Sequence, residues 1–310
     1  MPGSAAVMAE ARFISMSTLQ LRRYTKFVAA ATFALLLAGG MVTSTGSGLA
    51  VPDWPLSFGR VMPPMEGGVL YEHGHRMVAT FVGLLIVIEA VWLWRSEPRR
   101  WVKRLGAIAV VGVVAQGLLG GLTVLLRLPD SVSIGHAVVA ELVFAITVAI
   151  AVACSAEWQR ARTEDRTVDH AVPMLAAITA GIVLVQIALG AAVRHTGAGL
   201  AIPDFPLAYG QLVPPLDSEP VALHFAHRVG ALVVTAAIGL TALRVFYSRP
   251  VEPYLVRPAM VMLVLVCVQV ALGGWTVLSF KAAGVATAHL GVGALLWATA
   301  VVLAMRAGRV

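Results

Sequence analysis

Apolar positions along this chain neither alternate nor keep to one helical stripe. They run on in blocks of about 20 residues, broken by short stretches rich in Arg, Pro, Gly and Asp. A block of that length can cross the hydrocarbon core of a bilayer as a helix, which satisfies every backbone N–H and C=O inside the segment. Eight such segments are predicted, at 26–43, 74–95, 104–126, 133–153, 171–193, 225–245, 256–279 and 284–305. The fold class that follows is an all-α integral membrane protein, and the even number of crossings leaves both termini on one side.

The pattern occurs twice. The first segment ends in Gly39-Gly40 and Thr45-Gly46-Ser47-Gly48-Leu49-Ala50, followed by Pro52-Asp53-Trp54-Pro55-Leu56 and Pro63-Pro64; the fifth ends in Gly190-Ala191 and Thr196-Gly197-Ala198-Gly199-Leu200-Ala201, followed by Pro203-Asp204-Phe205-Pro206-Leu207 and Pro214-Pro215. Next come Glu72-His73-Gly74-His75-Arg76 in one half and His224-Phe225-Ala226-His227-Arg228 in the other. Gln116 with Gly120-Gly121 and Gln269 with Gly273-Gly274 continue the match, and His136 pairs with His289. Self-similarity at this spacing marks a duplication. Each copy holds four segments, so the halves share one orientation and are related by an axis along the membrane normal. The architecture expected is two tandem, pseudo-two-fold-related four-helix bundles: a cytoplasmic tail at 1–23, an N-terminal bundle at 24–156, a cytoplasmic linker at 157–170 and a C-terminal bundle at 171–310.

Composition agrees with immersion in lipid. Of 310 residues, 59% are hydrophobic and 13% charged, and the mean hydropathy is +0.85, too little polar surface for a water-soluble globule of this size. Of the 23 lysines and arginines, 17 fall in the tail with Lys26 just beyond it, the loops at 95–104, 157–169 and 244–257, and the C-terminus, with 6 on the other side. By the positive-inside rule both termini are cytoplasmic. The net charge of +7 therefore reads as topology and not as nucleic-acid binding. The first segment reads as a signal anchor, since it is long and lacks a small-residue cleavage site. Cys154 and Cys267, both in or at the end of apolar segments, read as packing residues.

The chemistry lies in histidines. The second, fourth, sixth and eighth segments all start on the outer side, and His75, His136, His227 and His289 stand in their first turns, hence at one depth. One imidazole from each of two facing helices can hold a haem iron from opposite faces inside a bundle. Two candidate sites result, His75 with His136 and His227 with His289. The plainer alternative, four histidines bonded across helices, does not explain their recurrence at equivalent places. Arg76 and Arg228 directly follow two of these ligands and are candidates for haem propionates, or else arginines whose heads reach the interface. Gln116 and Gln269 read as bonding within the bundle or towards a porphyrin edge, or equally as helix-packing residues. His73, His170 and His195 have no expected chemical role, and Glu89 and Glu141 read as polar contacts between helices.

Glu72 differs, because it precedes His75 by three residues on the same helix face, where the second copy has His224. A carboxylate beside a haem edge can accept a proton or stabilise developing positive charge; a structural reading is an acid favoured near a helix N-terminus.

Taken together, the glycine-rich outer stretch with Pro52-Asp53-Trp54-Pro55, Glu72-His73-Gly74-His75-Arg76, Gln116 with its glycines, His136 and the second copy resemble the haem A synthase family over nearly the whole chain outside the tails. The resemblance implies a plasma-membrane enzyme that oxidises a ring methyl of haem O to the formyl group of haem A for terminal oxidase assembly. It implies haem O as substrate at His75 and His136, Glu72 supporting the oxidation, and haem b as cofactor on His227 and His289, both sites towards the outer side. Expected partners are the lipid bilayer, haem O with the enzyme that makes it, and an electron donor or acceptor. Many bacterial members carry a cysteine pair after the first segment; Val51 and Ser57 stand at the matching positions here, so a redox role for such a pair does not apply. Two other readings stand beside it. A di-haem b electron-transfer protein linked to quinol suits the symmetric histidines but gives Glu72 no task. A carboxylate-bridged di-iron enzyme is suggested by Glu72-x-x-His75, but lacks the second Glu-x-x-His such a site needs.

Overall fold

The computed structural model describes the backbone of residues 4–160, 171–248 and 253–309, and the side chains from residue 19 onward within them except that of Arg160. His170 and most of the expected linker at 157–170 lie outside the described residues. The helices are α1 (Ser4–Ser44), α2 (Gly68–Ser96), α3 (Arg100–Leu125), α4 (Asp130–Ala153), a short α5 (Ala156–Arg160), α6 (Ala171–His195), α7 (Glu219–Ser248), α8 (Pro253–Leu278) and α9 (Ala283–Ala307). All but α5 contain a segment long and apolar enough to cross a membrane, eight among the described residues. The protein is a multi-pass membrane protein. The backbone of the expected tail is helical from Ser4, continuous with the first crossing.

Neighbouring helices pair in the same way in each half. In the first, α1 packs on α2, α2 on α3, α3 on α4, and α4 closes back on α1; in the second, α6, α7, α8 and α9 make the same four contacts. Helices α1 and α4 of one half meet α6 and α9 of the other. At that seam Phe144, Ala294 and Ala298 pack with Phe33 and Leu36, and the Trp297 indole donates to the Glu141 carbonyl at 3.2 Å. The likeness extends to single turns. After α3, Leu128 N–H donates to the Thr123 carbonyl at 2.6 Å, and after α8, Lys281 N–H donates to the Thr276 carbonyl at 2.8 Å. Both turns hold two residues in the left-handed region, Arg127-Leu128 and Phe280-Lys281.

Helices α2 and α7 start earlier than the hydropathy pattern suggests, at Gly68 and Glu219 in place of 74 and 225. As a result His75 and His227 stand about two turns inside their helices, the depth at which His136 and His289 stand in α4 and α9.

The apolar core is unevenly distributed. Fully buried hydrophobic side chains crowd the half of each bundle remote from the histidines, around Leu93, Val102 and Ile150 in one and Ile238, Met262 and Leu303 in the other. Along α1 they then skip from Val28 to Val42, along α3 from Ala109 to Val124, and from there to Val143 of α4. In the second half they skip from Val221 to Val234, from Val266 to Val277, and from there to Ala294. Protein interiors are close-packed, so a band in which none of the described apolar side chains is buried is packed more loosely than the core beside it. Each bundle has one, and its two histidines lie in it.

Candidate functional site

Each of the four histidines rests on a glycine of the helix before it. A methyl group placed on Gly39 of α1 would come 3.0 Å from His75 Cε1; the corresponding distances are 3.3 Å from Gly120 of α3 to His136, 2.9 Å from Gly190 of α6 to His227, and 3.1 Å from Gly273 of α8 to His289. The glycines act as notches that let the Cε1 edge of an imidazole come close to a neighbouring backbone. Nδ1 of His75, His136 and His289 is buried without a hydrogen-bond partner. The rings of His227 and His289 meet edge-on, with centroids 6.5 Å apart and planes at 79° to each other. That spacing leaves room for a metal between the two rings, so His227 and His289 would be the residues to hold a haem iron in this half.

Amides on α3, α6 and α8 hold these histidines. Gln116 donates to the His136 carbonyl at 2.9 Å, and the Gln269 amide nitrogen lies 3.4 Å from His289 Nε2. Gln186 donates to the His227 carbonyl at 2.7 Å and approaches His227 Nδ1 at 3.0 Å. Comparing the two halves for identities misses Gln186, because its counterpart is Leu35; its one signal is an amide inside an otherwise apolar run.

The two outer loops are built alike over the band. Both Asp53 oxygens accept backbone N–H groups, from Phe58 at 2.7 Å and Gly59 at 2.8 Å, and Asp204 accepts from Tyr209 and Gly210 at the same distances. These amides hold both carboxyls below the usual range. The turn so closed directs Trp54 against Gly121 and Phe205 against Gly274, where a methyl group would come 2.7 Å and 2.6 Å from the rings. One glycine of each Gly-Gly pair therefore receives an imidazole and the next a loop aromatic.

Glu72, Arg76 and Arg228 have tasks in this clamp that the sequence did not disclose. Glu72 is buried, accepts the Val51 N–H at 2.7 Å and pairs with Arg76 at 2.6 Å. His224 takes the same place, with Ile202 N–H 3.3 Å from its Nδ1 and Arg228 Nε 3.4 Å from its Nε2. Arg76 donates to the carbonyls of Asp53, Leu56 and Val51, and Arg228 to those of Asp204, Leu207 and Ile202. Both guanidiniums thus tie the loop to its helix, directly after the histidines they follow in sequence.

Comparison with known proteins bears on which chemistry this is. A family model described as Cytochrome oxidase assembly protein matches residues 67–301. A protein of Shouchella clausii named Heme A synthase is 31% identical over 267 residues, 84% of this chain and 88% of the relative. The chain belongs to the haem A synthase family. Heme A synthases of Halalkalibacterium halodurans, at 32% over 86% of this chain and 89% of the relative, and of Symbiobacterium thermophilum, at 36% over 67% and 70%, extend the match.

Within this haem A synthase frame, the positions expected to carry a cysteine pair do other work. Val51 is fully buried and ties its N–H to Glu72, while buried Ser57 contacts His73 Nδ1 at 2.8 Å. His73 is therefore a loop anchor. At the seam between the halves, Arg194 of α6 donates to the Gly40 carbonyl at 2.6 Å and to Ser44 Oγ at 2.7 Å, and Ser44 reaches Thr287 of α9 at 3.0 Å. His75 and His195 are the histidines within electrostatic reach of His136. Glu89 differs from its expected role as a contact between helices, since neither of its oxygens has a hydrogen-bond partner, and Glu141 Oε2 has none either. The pattern is asymmetric, since Thr241 and Ala294 occupy the matching places of the second half.

Proposed function

We propose that this protein is a haem A synthase: it oxidises a ring methyl of haem O to the formyl group of haem A, with the substrate in the first bundle and haem b in the second. The observation that carries the reading is the loosely packed band in each bundle, bordered by packed core and by a clamped loop, with two imidazoles on glycine notches inside it. His75 and His136 are the residues for the substrate iron, and His227 and His289 for haem b. Haem b held by His227 and His289 would supply a one-electron redox centre in the second bundle.

The chain's own residues bind, orient and exclude water. The notches seat the imidazoles, the amides of Gln116 and Gln186 fix the helix turns that bear His136 and His227, the Gln269 amide meets the His289 ring, and Trp54 and Phe205 close the outer ends. Glu72 is the candidate to take up a proton from the reacting carbon or to stabilise positive charge there; its pairing with Arg76 and the Val51 amide holds the carboxylate in one orientation. Arg76 and Arg228 bring positive charge to the bundle mouths, where they are candidates for the propionates beside their clamp role. Both termini are assigned to the cytoplasm and the haem sites to the outer side, on the charge bias alone.

The four alike notches are what a di-haem b electron carrier would also have. Membranes of cells that make haem O but no haem A separate the two readings. Producing this chain there should yield haem A; haem O left unconverted beside a well-folded protein that binds only haem b would favour the carrier.

A further inference from the structure

The two outer loops lie over their bundles in the same way but are fastened by different chemistry. The loop at 45–67 is held to α2 by polar groups. Its Val51 N–H donates to Glu72, Glu72 pairs with Arg76, Arg76 donates to loop carbonyls, and buried Ser57 meets buried His73 at 2.8 Å. His73 Nε2 is buried there without a hydrogen-bond partner. The loop at 196–218 keeps the arginine, Arg228, but has Ala208 in place of Ser57 and faces Phe225 in place of His73. Ile202, Ala208 and Val221 form a buried apolar cluster, with Ala201 and Phe225 packed against it. Tyr209 adds a hydroxyl that donates to the Ala201 carbonyl, where the first loop has Phe58. Within themselves the loops are alike, since Asp53 and Asp204 accept the same two amides and paired backbone bonds join Ser57 to Arg60 and Ala208 to Gln211. They differ in what holds them down.

We infer that the loop at 45–67 is an opening lid over the first bundle and the loop at 196–218 a fixed cover over the second. When a loop lifts, water takes the place of each polar partner that is lost, so a hydrogen bond contributes little net to closure. A charge pair such as Glu72 with Arg76 likewise regains its hydration. Apolar contacts have no such replacement, and their exposure to water opposes opening. The internal bonds of each loop survive the movement, so the first loop lifts as one piece and carries Trp54 off Gly121. The purpose of the lid rests on the reading above: a substrate haem must enter the first bundle and its product must leave, whereas haem b stays in the second.

Amide hydrogen exchange of the purified full-length protein in lipid nanodiscs, resolved by mass spectrometry, reads the lifting directly. Val51 and Ile202 are matched reporters, because each donates its N–H to the helix at the base of its loop. By bond geometry alone, 2.7 Å to a carboxylate against 3.3 Å to an imidazole, Val51 should be the slower. The lid predicts the reverse, with Val51 exchanging at least about 10-fold faster than Ile202 after correction for intrinsic rates. Tyr209→Phe, the residue of the first loop, should speed exchange at Ile202 by about 2–10-fold, the worth of one hydrogen bond, and leave Val51 unchanged. Ser57→Ala combined with His73→Phe, the residues of the second loop, should slow exchange at Val51. Should that pair of changes prevent folding, the unaltered protein and Tyr209→Phe decide. Exchange at Val51 no faster than at Ile202, or no effect of Tyr209→Phe, overturns the inference. Pigments extracted from the same preparations keep the two readings apart: haem b alone in a protein whose loops exchange as expected sinks the substrate assignment and not the lid, while haem O or haem A beside equal exchange sinks the lid alone.

Discussion

Replacing Gly190 by Ala sets helix stability against site geometry. The added methyl would stand 2.9 Å from His227 Cε1, whereas carbon atoms rest at about 3.5 Å or more. The imidazole must then retreat by about 0.6 Å, or α6 and α7 must part by as much, and functional geometry tolerates about 0.5 Å. Overpacking of this kind costs about 1–3 kcal/mol, while Ala in place of Gly favours a helix by about 0.5–1 kcal/mol. The apoprotein should therefore melt within a few degrees of the unaltered one, yet bind haem b poorly. The notches give a graded series, since the same distance is 3.0 Å at Gly39, 3.1 Å at Gly273 and 3.3 Å at Gly120. Haem b per chain, read from the reduced pyridine adduct, should fall further in Gly190→Ala than in Gly273→Ala. Gly39→Ala and Gly120→Ala should spare haem b and impair retention of the substrate haem. Gly181→Ala on α6, with nothing within 4 Å of the new methyl, should leave the pigment unchanged. Full haem b with an unshifted spectrum in Gly190→Ala would refute the notch argument.

Three further outcomes are expected. Glu72→Gln keeps an acceptor for the Val51 amide but loses the charge pair with Arg76, so haem A formation should drop by about 10²–10⁴-fold with haem b retained; wild-type product would remove Glu72 from catalysis, and His224→Gln should leave product formation much less affected. Asp53 and Asp204 are held below their ordinary 3.8 by loop amides, so their contribution to loop closure is complete above that pH and is lost as pH falls through the lowered value. Trp54 fluorescence should accordingly stay constant from neutral pH to about 4 and change only below it, and a change centred near pH 6 would contradict this. Arg194→Leu removes two bonds between α6 and α1, and charged hydrogen bonds contribute about 1.5–3 kcal/mol each; a thermal midpoint in detergent unchanged from the parent would show that the seam does not depend on it.

The eight crossings were legible because lipid admits only long apolar helices, and the four histidines stood out as candidates because an ionisable group is costly inside a membrane. What surrounds the histidines was less legible. The task of Gly39, Gly120, Gly190 and Gly273 was hidden, since nothing in a sequence says that a glycine faces an imidazole. Glu72 and His224 looked like a chemical difference between the halves, yet both receive a loop amide and both meet the arginine one turn on. That shared task is visible only once the loop is folded back over its helix. The early starts of α2 and α7 escaped because Pro, Gly and charged residues precede the apolar runs and resemble loop. Gln186 escaped because a duplication draws the eye to what its halves share.

The central claim is that the two bundles hold different haems for different purposes. Extracting the pigments from purified single-histidine variants, in cells supplied with haem O, tests it most directly. His75→Ala or His136→Ala should lose haem O and haem A and keep haem b, while His227→Ala or His289→Ala should lose haem b. Haem b lost from either half alike, with no haem O or haem A recovered from the unaltered protein, would contradict the claim.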